Sequence, residues 1–167
     1  MAALVFLLQT LSALSAQLDV ALVQFPEVKT TEELNTALEG AILSDMTNSN
    51  RLITRNPILN GGVVLFAQSL SPTSSLETST RLETSRVDLV GTLRNNSLKV
   101  EIQLSEGVEG GLHRFVSRTF SGSAPLSAGT ARVLSLRTIK GKTNSVTKGK
   151  SEVKESITCH AIIAQLR

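Results

Sequence analysis

Hydrophobic and polar residues alternate most regularly between Arg86 and Phe120. In RVDLVGTLR, Val87, Leu89, Gly91 and Leu93 alternate with Asp88, Thr92 and Arg94. In LKVEIQL, Leu98, Val100, Ile102 and Leu104 alternate with Lys99, Glu101 and Gln103. A period of two gives each strand one apolar face. Asn95 and Asn96 lie between the two runs, and Asn tolerates the positive φ that a type I′ hairpin turn requires at both central positions. Three glycines between Glu106 and Gly111 mark a second turn, after which the chain runs on to Phe120. The pattern predicts a three-strand antiparallel meander with one dry face.

Before the meander, Leu18 to Phe25 (LDVALVQF) is a β-rich run stopped by Pro26 and reads as a buried first strand. Thr30 and Glu33 form a capping-box signature, and Leu34, Ala37, Leu38, Ala41, Ile42 and Met46 follow at helical spacing. Asn48 to Asn50 breaks this helix, and Arg51 to Arg55 predicts a strand ended by Asn56 and Pro57. Val63 to Leu70 fits strand or helix. Ser74 to Ser85 predicts a short helix capped by Ser74 or Ser75, with Leu76 and Leu82 inward and Glu77, Arg81 and Glu83 solvated.

After the meander, Ser121 to Thr130 reads as a Gly/Ser/Ala/Pro linker. Ala131 to Lys140 and Glu152 to Arg167 then predict a long β-hairpin. Ile157 to Ala164 is nearly continuous in apolar or small residues, which suits a core strand buried on both faces or a strand paired with a neighbouring subunit. In the second case Ile157, Cys159, Ala161 and Ile163 would carry the oligomer contact. The expected class is α/β (α+β): a mixed sheet containing the meander, helices on one face, and a C-terminal β-hairpin extension. The expected divisions are an apolar N-terminal segment at 1–16, a domain at 17–120, and a linker with hairpin at 121–167.

Composition narrows the function classes. The chain has 167 residues, 41% apolar and 19% charged, enough for one core without disulfides. Tyr and Trp are absent and Phe numbers five, so the stacking platforms on which single-stranded nucleic acids and glycans are bound are poorly supplied. The net charge of +3 is gathered in Arg137, Lys140, Lys142, Lys148, Lys150 and Lys154, opposed within that interval only by Glu152. These six residues are the candidate contact for phosphate, anionic lipid or an acidic partner surface; otherwise the run is a solvated loop. Met1 to Ala16 (MAALVFLLQTLSALSA) is uncharged and apolar, with small residues before Ala16, which predicts a cleaved secretory signal. The alternatives are a retained helix, too short to span a bilayer unaided, or a first core element.

No chemistry-bearing constellation emerges. Cys159 is the single cysteine, so intrachain disulfides and multi-cysteine zinc sites are excluded. Cys159 and His160 are adjacent, and strand neighbours point to opposite faces, so they do not form a nucleophile–base pair. His113 has no partner at metal-ligand spacing. Gly107, Gly110 and Gly111 precede no helix and make no phosphate loop. Asn95-Asn96-Ser97 matches a glycosylation sequon but reads better as turn chemistry. The expectation is a non-enzymatic protein with no catalytic, metal-binding or cofactor-binding residues and no cofactor.

Several stretches resemble the curli-secretion CsgG family and its relatives, the amino-terminal domain of TolB and the flagellar outer-membrane protein FlgO. VALVQFP resembles the family's opening strand, and TEELNTALEGAILSDMTNSNRLITRNP its first helix and following strand. LFAQSLSPTSSLETSTRLETSRVDLVGTLR and LKVEIQLSEGVEGGLHRFVSRTF are similar to its helix pair and meander, with RVDLVGT the most telling piece. The resemblance implies a structural protein of the bacterial envelope, in the periplasm or associated with the outer membrane. It would act in a secretion- or flagellum-type machine through self-association into a ring or array and contact with other machine proteins. The expected lack of a lipoprotein cysteine after the apolar run, and of long apolar-alternating hairpins of the transmembrane-barrel kind, makes any membrane association indirect. The alternative function is a ligand- or nucleic-acid-binding module using the basic hairpin, with nucleic acid disfavoured by the missing aromatics; a third is a hydrolase whose site the sequence does not display. If the N-terminal segment is a signal, the intact mass of the native protein should lack Met1 to Ser15; a mass that includes them would overturn export by cleavage.

Overall fold

A computed structural model describes residues 16–47, 50–82, 85–107, 115–147 and 150–167. The expected signal segment at 1–15, His113, Gly110, Gly111 and Lys148 lie outside the described residues. Among the described residues, eight strands form two four-stranded sheets. The first sheet contains β1 (Leu18–Phe25), β2 (Val63–Leu70), β7 (Ala131–Thr147) and β8 (Lys150–Leu166) in the order β2-β1-β8-β7. The second contains β3 (Ser75–Arg81), β4 (Ser85–Arg94), β5 (Ser97–Gly107) and β6 (Phe115–Pro125) in sequential order. Every pairing between these strands is antiparallel. Two short helices, α1 (Thr31–Ala37) and α2 (Leu43–Met46), cover the far face of the first sheet.

The expected α/β class is therefore corrected: the fold is mostly β, two antiparallel sheets, and not a mixed sheet. Local structure differs from the expectation in three places. Ser75–Arg81 is strand β3 rather than a helix, with Leu76 buried against the core and Ser75, Glu77, Ser79 and Arg81 exposed on alternate positions. Ser and Thr serve strands as readily as helix caps, and pairing with β4 from Ser75↔Thr92 to Arg81↔Arg86 decides between them. Arg51 to Arg55 is not a strand and keeps only an isolated bridge from Arg51 to Val63. The long helix expected through Met46 stops at Ala37. Leu38 caps it, Gly40 turns with φ of 70°, and α2 begins afresh at Leu43.

Other features agree with the pattern. The capping box at Thr30 is complete, with Glu33 N–H donating to Thr30 Oγ1 at 3.2 Å and Thr30 N–H donating to Glu33 Oε2 at 2.9 Å. Asn95 and Asn96 have φ of 49° and 59° and join β4 to β5. Val87, Leu89, Leu98, Val100, Ile102 and Leu104 line the inner face of the meander. They pack against Leu18, Val20 and Leu22 of β1 and Ile162 and Ala164 of β8, so the core between the sheets joins the two ends of the chain to its middle.

The opposite face of the first sheet carries Ala21, Val23, Phe25, Cys159, Ala161 and Ile163, covered by Leu34, Leu38, Leu43, Met46 and Leu59. Buried Gln165 fastens this layer: its Oε1 accepts from Leu43 N–H at 2.7 Å, and its Nε2 donates to Ala41 O at 2.9 Å and Gly129 O at 3.0 Å. α2 has no side-chain cap of its own, so Gln165 supplies one from the sheet. Asn35 Oδ1 likewise accepts from Val133 N–H at 2.9 Å, where β7 shifts register between Val133 and Ser135.

Ser121 to Pro125, expected as a linker, continue β6 and pair with Ser97 to Glu101. Small residues stand here because β7 approaches closely: a Cβ on Gly122 would lie 2.7 Å from Leu134 O. The boundary expected at residue 121 thus falls inside a strand. The placement of the meander's faces is checked by two substitutions. Ile102 is fully buried, so Ile102→Asp should cost about 4 kcal/mol or more by burying an unpaired carboxylate. Gln103, exposed on the other face, should tolerate Asp within about 0.5 kcal/mol. Chemical denaturation of both variants measures the contrast, and equal losses would contradict the face assignment.

Candidate interaction surface

β7 and β8 are each 17 residues long, whereas β1 is 8. β1 pairs with β8 from Leu18↔Leu166 to Phe25↔Cys159, where Pro26 removes the amide donor and turns the chain away. Beyond Cys159, β8 pairs with β7 alone, from Ile139↔Thr158 to Thr147↔Lys150. This half of the hairpin is a two-stranded arm. At about 3.3 Å per residue its nine residues of β8 reach on the order of 30 Å past the end of β1. Within the arm Val153 is 56% exposed and Ile157 42% exposed. Where the arm leaves the body, Gln24, Pro26, Gly61, Val63 and residues 155–158 line a shallow notch of about 420 Å³.

The six cations chosen from the sequence are distributed along this element. Arg137 lies at its root, opposite His160, and its Nη1 donates to Thr119 O at 3.2 Å, tying β7 to the edge of the second sheet. Lys140 stands opposite Ile157 and Lys142 opposite Glu155; the Lys142–Glu155 ion pair of 3.1 Å is exposed at both ends and contributes little. Register places Lys150 opposite Thr147 and Lys154 opposite Thr143. The structure thus gathers Lys140, Lys142, Lys150 and Lys154 on the arm and leaves Arg137 beside the core.

The four residues chosen for an oligomer strand separate differently. Cys159, Ala161 and Ile163 are fully buried, and β1 and β7 occupy both edges of their strand, so this stretch has no edge to offer a neighbour. Ile157 lies past the last β1 pairing, on the open edge. Periodicity marked this run as buried on both faces, but the residue at which the covering strand ends is set by Pro26, more than a hundred positions away.

His160 and Cys159 lie on opposite faces of β8, Cys159 toward the helices and His160 toward Phe120. The His160 ring stacks on Phe120 at 5.1 Å and 28°, it is buried, and neither ring nitrogen has a hydrogen-bond partner among the described residues. Burial, followed by the positive charges of Arg118 and Arg137, holds its pKa below the ordinary imidazole value. No spacing in the sequence reveals this cluster, because β6, β7 and β8 bring it together through pairing. Among the described residues no group of three metal-ligating side chains occurs.

No family model matches the chain, and no curated protein matches it. Among solved structures, the type II secretin GspD from enteropathogenic Escherichia coli is similar over 90% of this chain, at 11% identity and a TM-score of 0.31. The chain spans 65% of that structure's length, and a likeness this distant fixes neither fold nor function. The resemblance to CsgG, TolB and FlgO accordingly rests on the residues that carry it, and the mixed α/β domain it implies is not what the chain forms.

His160 supplies a test of this corner. With its pKa depressed in the folded state, the stability it contributes is complete above the ordinary imidazole value near 6.5 and is lost as pH falls below it, since the unfolded chain takes up the proton more readily. Wild-type stability should therefore drop between roughly pH 7 and pH 5, before most carboxylates titrate. His160→Phe should flatten that part of the curve in denaturation measured across the range. An unchanged slope would show that His160 is not held neutral.

Proposed function

We propose that this chain is a non-enzymatic assembly protein of the bacterial cell envelope that associates with copies of itself through the β7–β8 arm. The observation that supports this most directly is the arm's lack of cover. An isolated two-stranded ribbon is marginally stable in water, and this one continues for nine register pairs with no third strand among the described residues, while Ile139 at its root packs against the core between the sheets. Past Cys159 the β8 edge has no third described strand beside it, and Val153 and Ile157 face solvent. The apolar Met1–Ala16 segment and the resemblance to envelope proteins support export and an envelope location.

A nucleic-acid-binding reading of the same arm has less behind it. No aromatic residue lies on the arm to stack a base, and Glu152 and Glu155 interrupt its lysines. Protein–protein association through the arm needs neither aromatics nor uniform charge.

Removing the whole C-terminal region would not test the idea, since β8 is a central strand of the first sheet. Shortening the arm does. Deleting Gly141 to Ser156 and joining Lys140 to Ile157 through Asn-Gly uses a two-residue turn between residues already opposed in register. The shortened chain should keep its circular dichroism spectrum and run as a monomer in light scattering, while the full chain runs as an oligomer. A full chain that stays monomeric at high micromolar concentration, or a shortened chain of undiminished particle mass, would overturn the proposal.

A further inference from the structure

The self-association reading leaves open what the arm meets on the second copy, and the charge distribution identifies it. Between Pro26 and Thr47, Glu27, Glu32, Glu33, Glu39 and Asp45 are all exposed, and Lys29 is the only cation. Lys29 already pairs with Glu27 at 3.3 Å. Arg51 and Arg55 come later, in the loop that completes the same layer. Between Ile139 and Thr158 the balance reverses, with five lysines against two glutamates. Within one chain these regions do not neutralise each other: among the described residues no ion pair joins Lys140 or Lys142 to Glu32, Glu39 or Asp45.

Resting on that reading, we propose that the arm of one copy lies across the acidic α1–α2 layer of the next, giving a head-to-tail assembly. Donor and acceptor are different surfaces present on every copy, so the contact is heterologous and propagates into a ring or a filament. Lys140, and Lys142 by exchanging its exposed pair with Glu155, face Glu32, Glu39 and Asp45 on the layer. Val153 and Ile157 supply apolar contact area, and the charges set partner choice and salt dependence.

The test is a charge exchange on the full chain. An arm variant carries Lys140→Glu and Lys142→Glu; a layer variant carries Glu32→Lys, Glu39→Lys and Asp45→Lys. Each alone should associate at least about tenfold more weakly than wild type at low salt, because each sets like charges against like. An equimolar mixture of the two should assemble in alternation, and a chain carrying all five changes should assemble by itself, both read as particle mass in light scattering. Circular dichroism melts report folding, and Glu32→Gln, Glu39→Gln and Asp45→Asn provide a milder layer variant that should weaken association without reversing it. Wild-type association by either variant alone, or a mixture and a five-change chain that both stay monomeric, would overturn this inference while leaving self-association intact. The same holds if the arm variant loses only its binding to vesicles containing anionic lipid and assembles as wild type does. A wild-type monomer would instead overturn the self-association reading.

Discussion

The pairing of β1 with β8 is the constraint on which the rest of the structure depends. It joins Leu18–Phe25 to Cys159–Leu166 through eight residues each, and most of these side chains are fully buried. Both strands have a paired neighbour on each edge and a packed layer on each face, the second sheet on one side and the helices on the other. Strands in such a position need apolar residues on alternate and intervening positions alike, which is why LDVALVQF and TCHAIIAQL lack the alternation of the meander. Two of the three polar exceptions are hydrogen-bonded, and the third, His160, is held by stacking on Phe120. Buried Asp19 accepts from Ser69 Oγ and from Arg167 Nε at 2.7 Å, and Gln165 anchors the helix layer. Removing Arg167 would leave a carboxylate with 4% side-chain exposure hydrogen-bonded to Ser69 but without this counter-ion, so Arg167 also helps to hold β1 in place.

Legibility in the sequence follows the range of the determining interactions. The meander is local: each strand pairs with its sequence neighbour, Asn95 and Asn96 dictate their turn, and one face is wet, so period two is displayed openly. The Thr30 cap is local too. Ser75–Arg81 was misread because its signals are ambiguous at short range; Ser and Thr fit a cap or a strand edge, and only the register against β4 resolves them. Ser121–Pro125 resembled a linker because small residues signal flexibility or close packing equally, and the reason for Gly122 lies in Leu134 on another sheet. The apolar run at 157–164 was legible as buried on both faces, yet not as private to the chain, since its cover comes from the opposite terminus. The clustering of Arg118, Arg137, Phe120 and His160 had no signature at all.

The change in character along β8 shows how one strand serves as core and as projection. From Cys159 to Gln165 every residue is buried; from Val153 to Ile157 the described side chains are exposed. The change falls at the position opposite Phe25, where Pro26 ends β1 and the sheet narrows from four strands to two. Composition changes at the same place, from TCHAIIAQ to KSEVKES. Sequence and topology therefore agree that, among the described residues, β8 passes from core to exposed projection at this position.

Lysines on an open strand edge normally suppress indiscriminate pairing, because a second edge of the same charge is repelled and the ammonium groups resist desolvation. That bears on how such an arm can associate. Two arms laid edge to edge would bring the same lysines together, a like-charge contact that also carries Lys142 and its Glu155 partner into register only for particular alignments. A carboxylate surface removes the repulsion and leaves Val153 and Ile157 available for contact. The device that guards the edge against aggregation thus selects for an acidic partner surface. The helix layer over the first sheet carries exposed Glu32, Glu33 and Asp45, so in the proposed head-to-tail contact charge would choose the surface that the arm meets.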